Sequence, residues 1–162
     1  MSQAADELIC KTDSAEATLA LGRRMGGALE GGLVIGLVGP LGAGKTQLVK
    51  GIAAGNAVDD AANVTSPTFA LVHQYPGRLE LFHLDVYRLE GPADVAALGF
   101  DEWVTPTSVL VVEWADAIES LMPDDALWIE LRPIDSQRRG FTLRAGGGVS
   151  SAFLDRFRAA ER

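Results

Sequence analysis

A run of six residues without a polar side chain, LVIGLV at 33–38, leads directly into a glycine-rich stretch that ends in Lys45 and Thr46. Residues 39–46 fit the pattern G-x-x-x-x-G-K-[ST]. An unbroken apolar run is typical of a strand that is covered on both faces. Residues 45–54 are predicted to form the helix that follows. A strand, a glycine loop and a helix in this order predict a P-loop, which binds the phosphates of a nucleotide.

The chemistry of phosphate binding gives each part of this loop an expected role. Gly39, Gly42 and Gly44 are expected to let the backbone turn with positive φ and approach closely without a Cβ, so that backbone N–H groups converge on the phosphates. Lys45 is expected to reach the β- and γ-phosphates, and the Thr46 hydroxyl to bind Mg²⁺. The predicted ligands are therefore ATP, or a close relative, and Mg²⁺. The residues expected to contact the nucleotide here are Gly39, Leu41, Gly42, Ala43, Gly44, Lys45, Thr46 and Gln47.

Two carboxylates follow predicted strands and are candidates for the rest of the site. Asp85 ends the run 79–84, and Glu113 ends the apolar run 109–112. Open α/β sheets bind ligands in the crevice beyond the carboxyl ends of their strands. We expect both acids to act with Lys45 as catalytic residues and to hold Mg²⁺ or its water shell. An exposed loop acid is the alternative for each, and the sequence leaves open which of them binds the metal directly.

Three neighbours of these acids have more than one interpretation. His83 precedes Asp85 by two residues and is predicted to point to the same side of the strand, as a hydrogen-bonded sheet histidine rather than a catalytic one. Arg88 is a candidate phosphate contact or a member of a structural ion pair. Trp114, beside Glu113, is expected to be a packing residue.

The segment 65–68 is rich in hydroxyl groups. Through Thr65, Ser66 and Thr68 it is expected to contact the nucleotide and to sense the γ-phosphate as a switch segment does. The alternative is an ordinary capped turn.

The remaining patterns predict the fold. A helix is expected from Asp13 to Leu29, and a β-hairpin is expected around Pro76-Gly77. Residues 91–98 are predicted to be helical or turn-like, and a closing helix is predicted around 153–157. Together these patterns predict an α/β protein, a P-loop NTPase-type three-layer fold with a mixed, partly antiparallel central sheet, in one domain over residues 1–162. The predicted strands are 7–11, 33–38, 69–75, 78–84, 109–112, 126–131 and 141–144.

Composition excludes several classes of function. The chain has 14 Lys and Arg against 22 Asp and Glu, a net charge of −8, and no basic cluster, so tight binding of nucleic acid by this chain alone is disfavoured. A single cysteine excludes a disulfide within the chain. We see no signal peptide and no apolar run near the ~18 residues of a membrane helix. A cytoplasmic protein without a membrane partner is therefore expected.

The blocks around these residues resemble the bacterial TsaE (YjeE) family, the ATPase component of the machinery that makes threonylcarbamoyladenosine in tRNA. The resemblance extends from about Thr12 to Pro133. It rests on TLALG at 18–22, LGAGKT at 41–46, VTSPTF at 64–69, HLDVYRL at 83–89, LGF at 98–100 and VEW at 112–114.

The resemblance implies that Thr46 and Glu113 bind Mg²⁺, that Asp85 lies near the metal or the attacking water, and that 65–68 is switch-like. It also implies partners, namely the threonylcarbamoyl-transferring subunit and its dimerising paralogue, with tRNA held indirectly through the complex. ATP hydrolysis is then expected to be slow alone and stimulated by these partners. One position departs from the family, because Pro40 stands where an acidic residue is usual and lacks a backbone N–H.

Other nucleotide-binding functions remain as alternatives. A small-molecule kinase shares the P-loop, and Arg138 with Arg139 is a candidate lid for it. A nucleotide-sensing switch without effective catalysis is the other alternative. A GTPase is disfavoured, because the three lysines of the chain never follow an asparagine as the guanine motif Asn-Lys-x-Asp requires.

Overall fold

A seven-stranded sheet with the order β1-β7-β6-β2-β5-β4-β3 forms the centre of the protein. The computed structural model describes residues 6–67, 72–87, 92–97 and 99–161. The strands are β1 Asp6–Thr12, β2 Leu33–Val38, β3 Val72–Tyr75, β4 Glu80–Asp85, β5 Ser108–Glu113, β6 Leu127–Pro133 and β7 Arg139–Ala145.

The sheet is mixed, as predicted. Strands β4, β5, β2 and β6 run parallel to one another, whereas β7 pairs antiparallel with both β6 and β1. The predicted hairpin is present as the antiparallel pair of β3 and β4, with Val72 opposite Leu84. The first residues predicted for this hairpin, 69–71, lie outside the described part of the chain.

Helices cover both faces of the sheet and complete the three layers that the sequence predicted. None of the helices in the described ranges is long and apolar enough to cross a membrane. The helices are α1 Ala15–Gly27, α2 Lys45–Gly55, α3 Pro92–Ala96 and α4 Gly148–Ala160, with 3₁₀ segments at Ala61–Asn63, Phe100–Trp103 and Ala115–Leu121.

Strand β2 shows why its sequence is apolar throughout. Leu33, Ile35 and Leu37 belong to the core shared with α1, α2 and α4. Val34 belongs to the second core, on the other face, with residues of α3 and of the later 3₁₀ segments. Since both faces of β2 are covered, no position of the strand is left for a polar side chain.

Both ends of helix α1 differ from the predicted ends at Asp13 and Leu29. The N-cap is Ser14, whose hydroxyl accepts a hydrogen bond from Ala17 N at 3.0 Å, so the predicted start at Asp13 was wrong by one position. The helix ends at Gly27, short of Leu29, which is nevertheless buried in the core. The apolar spacing identified the buried residues better than it identified the end of the helix.

Helix α2, which starts at the glycine loop, packs closely against α1. A Cβ added to Gly22 would lie 2.5 Å from the Leu48 carbonyl oxygen, and one added to Gly51 would lie 2.3 Å from the Leu19 carbonyl oxygen. The two backbones approach this closely only because glycine stands at both positions. The packing therefore sets the short distance between α1 and α2, the helix that follows the glycine loop.

Candidate functional site

The glycine loop connects β2 to α2 and turns through left-handed backbone conformations. Gly42 has φ +78° and Gly44 has φ +101°, which explains the glycines at these two positions. Gly39 is different, because its φ is not in the left-handed range, and the prediction of positive φ was wrong there. A Cβ on Gly39 would lie 2.6 Å from the Leu131 carbonyl oxygen, so close packing against β6 is the reason for this glycine.

The start of α2 offers unused backbone donors. Its N-cap residue is Gly44, which has no side chain to accept hydrogen bonds from the first turn. N–H groups at an uncapped helix N-terminus carry partial positive charge and bind anions. These donors lie at the glycine loop for which the sequence predicts phosphate binding.

Lys45 is buried at this point, with 6% of its surface exposed. Its Nζ donates hydrogen bonds to the carbonyl oxygens of Gly39 at 2.5 Å and of Pro40 at 2.9 Å. The same ammonium lies 4.0 Å from the centre of the Trp114 ring, within range of a cation–π interaction. Burial lowers the pKa of Lys45 from its usual value, an effect opposed by the nearby carboxylates, of which Glu113 acts most strongly.

Pro40 has no backbone N–H, but its backbone carbonyl group takes part in the hydrogen bonds of the loop. Its carbonyl oxygen accepts hydrogen bonds from Lys45 Nζ and, at 3.1 Å, from Ala43 N. The side chain is exposed at the outside of the loop. The proline thus shapes the loop through its carbonyl group, although it lacks the N–H of the usual acidic residue.

A continuous hydrogen-bond path joins four segments of the chain beside the loop. The Thr46 hydroxyl lies 2.7 Å from the Ser66 hydroxyl, and the Ser66 hydroxyl donates to Glu113 Oε2 at 2.9 Å. His83 Nε2 lies 2.6 Å from the same carboxylate oxygen. Glu113 and His83 are both buried, with 2% and 0% of their surfaces exposed. The sequence proposed Thr46, Ser66 and Glu113 separately, and the structure brings them together at one point.

Asp85 lies beside this path at the end of the neighbouring strand. It is directly opposite Glu113 in the register of β4 and β5, so both predicted acids stand at the same edge of the sheet. Asp85 Oδ1 accepts a hydrogen bond from Tyr87 N at 2.9 Å. Burial is the main cause that raises the pKa of Asp85, partly opposed by this hydrogen bond.

A cavity of 470 Å³ lies over these groups. Gly39 and Thr65 are not among the residues that line it. Thr68 and Arg88 lie outside the described residues, and with Arg88 so do both of its alternatives, the phosphate contact and the ion pair. The residues that line the cavity are Leu41, Gly42, Ala43, Gly44, Lys45, Thr46, Gln47, Ser66, Pro67, Asp85, Tyr87, Glu113 and Trp114.

Two aromatic residues of the cavity were missed as site residues. Trp114, interpreted from sequence as packing, lies over Lys45 and has φ +62°, a conformation that is strained for a tryptophan. Tyr87 packs on it with ring centres 4.9 Å apart. The only sign of their role in the sequence was their position, since Trp114 directly follows Glu113 and Tyr87 is two residues after Asp85.

The arginine pair proposed as a kinase lid has local partners. Arg138 bonds Asp135 Oδ2 at 2.7 Å within the turn between β6 and β7. Arg139 donates to the carbonyl oxygens of Asp135 and Arg138 and, at 3.3 Å, to that of Gly42. These contacts order the turn against the glycine loop, and they give the kinase alternative no support.

The sheet order, the uncapped helix after a glycine loop and the lysine at its start define this chain as an α/β protein with a P-loop-type fold. The chain belongs to the TsaE family. The family model described as "Threonylcarbamoyl adenosine biosynthesis protein TsaE" matches residues 12–141.

Individual relatives agree with this family membership. A protein of Treponema pallidum (strain Nichols) named tRNA threonylcarbamoyladenosine biosynthesis protein TsaE is 41% identical over 134 residues, covering 83% of this chain and 98% of the relative. A protein of the same name from Bacillus subtilis (strain 168) is 37% identical over 142 residues, covering 87% of each chain. The crystal structure of Bacillus subtilis YdiB has a TM-score of 0.81 and 31% identity, with 99% of this chain and 100% of that chain covered.

Proposed function

We propose that this protein binds Mg-ATP in the 470 Å³ cavity and hydrolyses it, as the ATPase component of the complex that makes threonylcarbamoyladenosine at adenosine 37 of tRNA. Membership of the TsaE family supports the role in tRNA modification. One observation carries the catalytic half of the proposal: the hydrogen-bond path from Thr46 through Ser66 to Glu113 joins the glycine loop, the following loop and the sheet edge.

The side chains at this point fit a magnesium ion. The Thr46 hydroxyl and the carboxylates of Asp85 and Glu113 offer hard oxygen donors, which Mg²⁺ prefers. Within the described ranges, no group of three or more His, Cys, Asp or Glu side chains stands close enough to hold a metal alone. The remaining ligands would therefore be phosphate oxygens and water, the usual arrangement for Mg²⁺ in nucleotide sites. When bound, the metal neutralises charge on the phosphates.

The residues of the chain would then bind and orient the reactants. The N–H groups at the start of α2 bind the phosphates, and Lys45 exchanges a loop carbonyl for a phosphate oxygen. Asp85 has one carboxylate oxygen bonded to Tyr87 N, which leaves the other to accept a hydrogen bond from the attacking water. Positioning and charge stabilisation of this kind supply most of the catalysis in phosphoryl transfer.

We propose the threonylcarbamoyl-transferring subunit and its dimerising paralogue as the partners of this ATPase. The chain has a net charge of −8, so the partner subunits rather than this chain would hold the tRNA. We propose the cytoplasm as the place where it acts, in keeping with a role in tRNA modification. Turnover is expected to be slow for the isolated chain and faster in the complex, with the partners completing the site around the γ-phosphate.

The test is ATP hydrolysis with Mg²⁺, measured for the chain alone and with the two partner subunits and tRNA. Wild-type turnover should rise in the complex. Lys45→Ala should weaken nucleotide binding, and Glu113→Ala should lose Mg²⁺-dependent turnover with a smaller loss of nucleotide affinity. Lys50→Ala is a matched control, because Lys50 lies on α2 but does not line the cavity.

Each contrary result identifies a different error. If the partners leave turnover unchanged, the role within the complex is wrong. If Lys45→Ala and Glu113→Ala both retain full activity, the assignment of the site is wrong. Transfer of the phosphoryl group to a small molecule, instead of to water, would support the kinase alternative.

A further inference from the structure

Within the described part of the chain, the side chains that bond the carboxylate of Glu113 all contact the same oxygen. This oxygen, Oε2, accepts from the Ser66 hydroxyl at 2.9 Å and from His83 Nε2 at 2.6 Å. Among the residues that the structure describes, no side-chain hydrogen bond reaches Oε1. Two donors on one oxygen fix the rotation of the carboxylate, because turning it would break both bonds in a buried site.

Among the described residues, Glu113 is the polar side chain that His83 contacts in the core. His83 is fully buried, and its Nδ1 has no hydrogen-bond partner within the described ranges. Burying an unpaired polar atom is unfavourable, so a residue that only filled space here would better be apolar. The bond from Nε2 to Glu113 is therefore the contact that requires a histidine at this position.

We infer that His83 is a positioning residue that holds Glu113 with Oε1 free for the metal or its water shell, so that the carboxylate engages through a single oxygen. This inference rests on the proposed function, since it assumes that Glu113 serves a nucleotide-bound metal. His83 acts through Glu113 and touches neither the metal nor the nucleotide. Partners of this kind orient metal-binding groups, and their loss typically lowers metal affinity about 10- to 100-fold.

Glutamine and asparagine place their side-chain N–H groups at different distances from the backbone, so the two substitutions at His83 test whether a donor at the position of Nε2 is needed. Glutamine places an N–H near the position of Nε2, whereas asparagine is shorter and places one near Nδ1. His83→Gln should therefore retain the bond to Glu113, and His83→Asn should lose it at similar polarity. The matched control is His73→Gln. His73 lies opposite His83 on β3 but bonds the Tyr75 hydroxyl instead of Glu113.

Mn²⁺ binding to the ADP complex, followed by the free-Mn²⁺ electron paramagnetic resonance signal, is the main measurement. His83→Asn should bind Mn²⁺ about 10- to 100-fold more weakly than wild type, and His83→Gln and His73→Gln within about threefold of it. ADP affinity in EDTA should remain within about twofold for every variant. A thermal melt of each variant establishes that it is folded.

Two results would overturn the inference: wild-type Mn²⁺ affinity in His83→Asn, or an equal loss in His83→Gln and His83→Asn. Failure of the wild-type protein to bind Mn²⁺ with ADP would instead overturn the proposed function, and the metal role of His83 with it. Should His83→Asn not fold, ¹⁵N NMR of His73→Gln, which retains a single histidine, reports which ring nitrogen carries hydrogen. A hydrogen on Nε2 supports the bond to Glu113, and a hydrogen on Nδ1 alone refutes it.

Discussion

The hydroxyl oxygens of Thr46 and Ser66 lie 2.7 Å apart, although one belongs to the first turn of α2 and the other to the loop that precedes β3. Ser66 also donates to Glu113, so it links two of the three groups that we propose as magnesium ligands. A metal bound between Thr46 and Glu113 would directly affect the hydrogen bonds that Ser66 of this loop makes to both residues. The geometry thus gives a physical basis for a switch-like role of residues 65–67.

Removing the Ser66 hydroxyl should weaken metal binding more than nucleotide binding. In Ser66→Ala, Glu113 loses one of its two donors, and we expect Mg²⁺ to be bound about tenfold more weakly, the lower end of the usual range for such partners. The Mg²⁺ dependence of ATP hydrolysis measures this shift. Ser66→Thr retains a hydroxyl and serves as the control. Equal Mg²⁺ dependence in Ser66→Ala and wild type would show that the bridge is incidental.

Trp114 should report nucleotide binding through its fluorescence. Its ring lies 4.0 Å from Lys45 Nζ, and a phosphate that attracts this ammonium changes the surroundings of the ring. Adding ADP should therefore change the emission of the wild-type protein. The change should be absent in Trp114→Phe, in which Trp103 and Trp128 remain. If Trp114→Phe retains the full change, the signal comes from another tryptophan and the prediction is wrong.

Lys45→Ala should weaken ADP binding about 10- to 150-fold, because a hydrogen bond to a charged group contributes about 1.5–3 kcal/mol. Titration calorimetry of wild type and variant measures the difference. Lys50→Ala, a lysine of α2 that does not line the cavity, should bind ADP as wild type does. A loss below about threefold in Lys45→Ala would mean that the ammonium stays with the loop carbonyls and does not contact phosphate.

The parts of the fold that the sequence predicted well are those set by local pattern. The unbroken apolar residues 33–38 form β2, and Asp85 and Glu113 stand at the ends of β4 and β5, where the apolar runs end. A strand that is covered on both faces continues past its last apolar residue only where the polar side chain finds a partner, as Glu113 does in Ser66 and His83. This constraint makes the location of such acids predictable.

The parts that could not be predicted depend on contacts between distant segments. The insertion of β7 between β1 and β6 follows from how three strands pair, for which no single segment contains a signal. The link from Ser66 to Glu113 spans 47 positions of the sequence, and no pattern in either segment identifies the other. The left-handed backbone of Trp114 is likewise imposed by its surroundings, since a glycine would be expected at such a φ.

The turn between β6 and β7 should lose stability in acid through one carboxylate. Hydrogen bonds from the backbone of Arg138 and Gln137, with the Arg138 side chain, lower the pKa of Asp135 from 3.8 to about 2. A lowered pKa means that the folded state favours the ionised form. The stabilising contribution is therefore present above pH 3.8 and is lost as the pH falls towards 2.

Asp135→Asn isolates this contribution from that of the other acids. Its melting temperature should lie below that of wild type at pH 6, and the two should converge near pH 2. The carboxyl ¹³C resonance of Asp135 gives its titration midpoint directly. A constant difference between the two proteins over the whole range would show that the amide perturbs the turn sterically, without a contribution from ionisation.

The glycines between α1 and α2 should be among the positions least tolerant of a methyl group. A Cβ at Gly22 would lie 2.5 Å from the Leu48 carbonyl oxygen, and the backbone of α2 cannot move away without shifting the glycine loop that precedes it. We expect Gly22→Ala to lower the free energy of unfolding by about 1–3 kcal/mol. Gly27→Ala, at a position of α1 with nothing within 4 Å, should raise it by about 0.4–1 kcal/mol. Urea unfolding measures both, and equal stability of the two variants would mean that the helices separate easily.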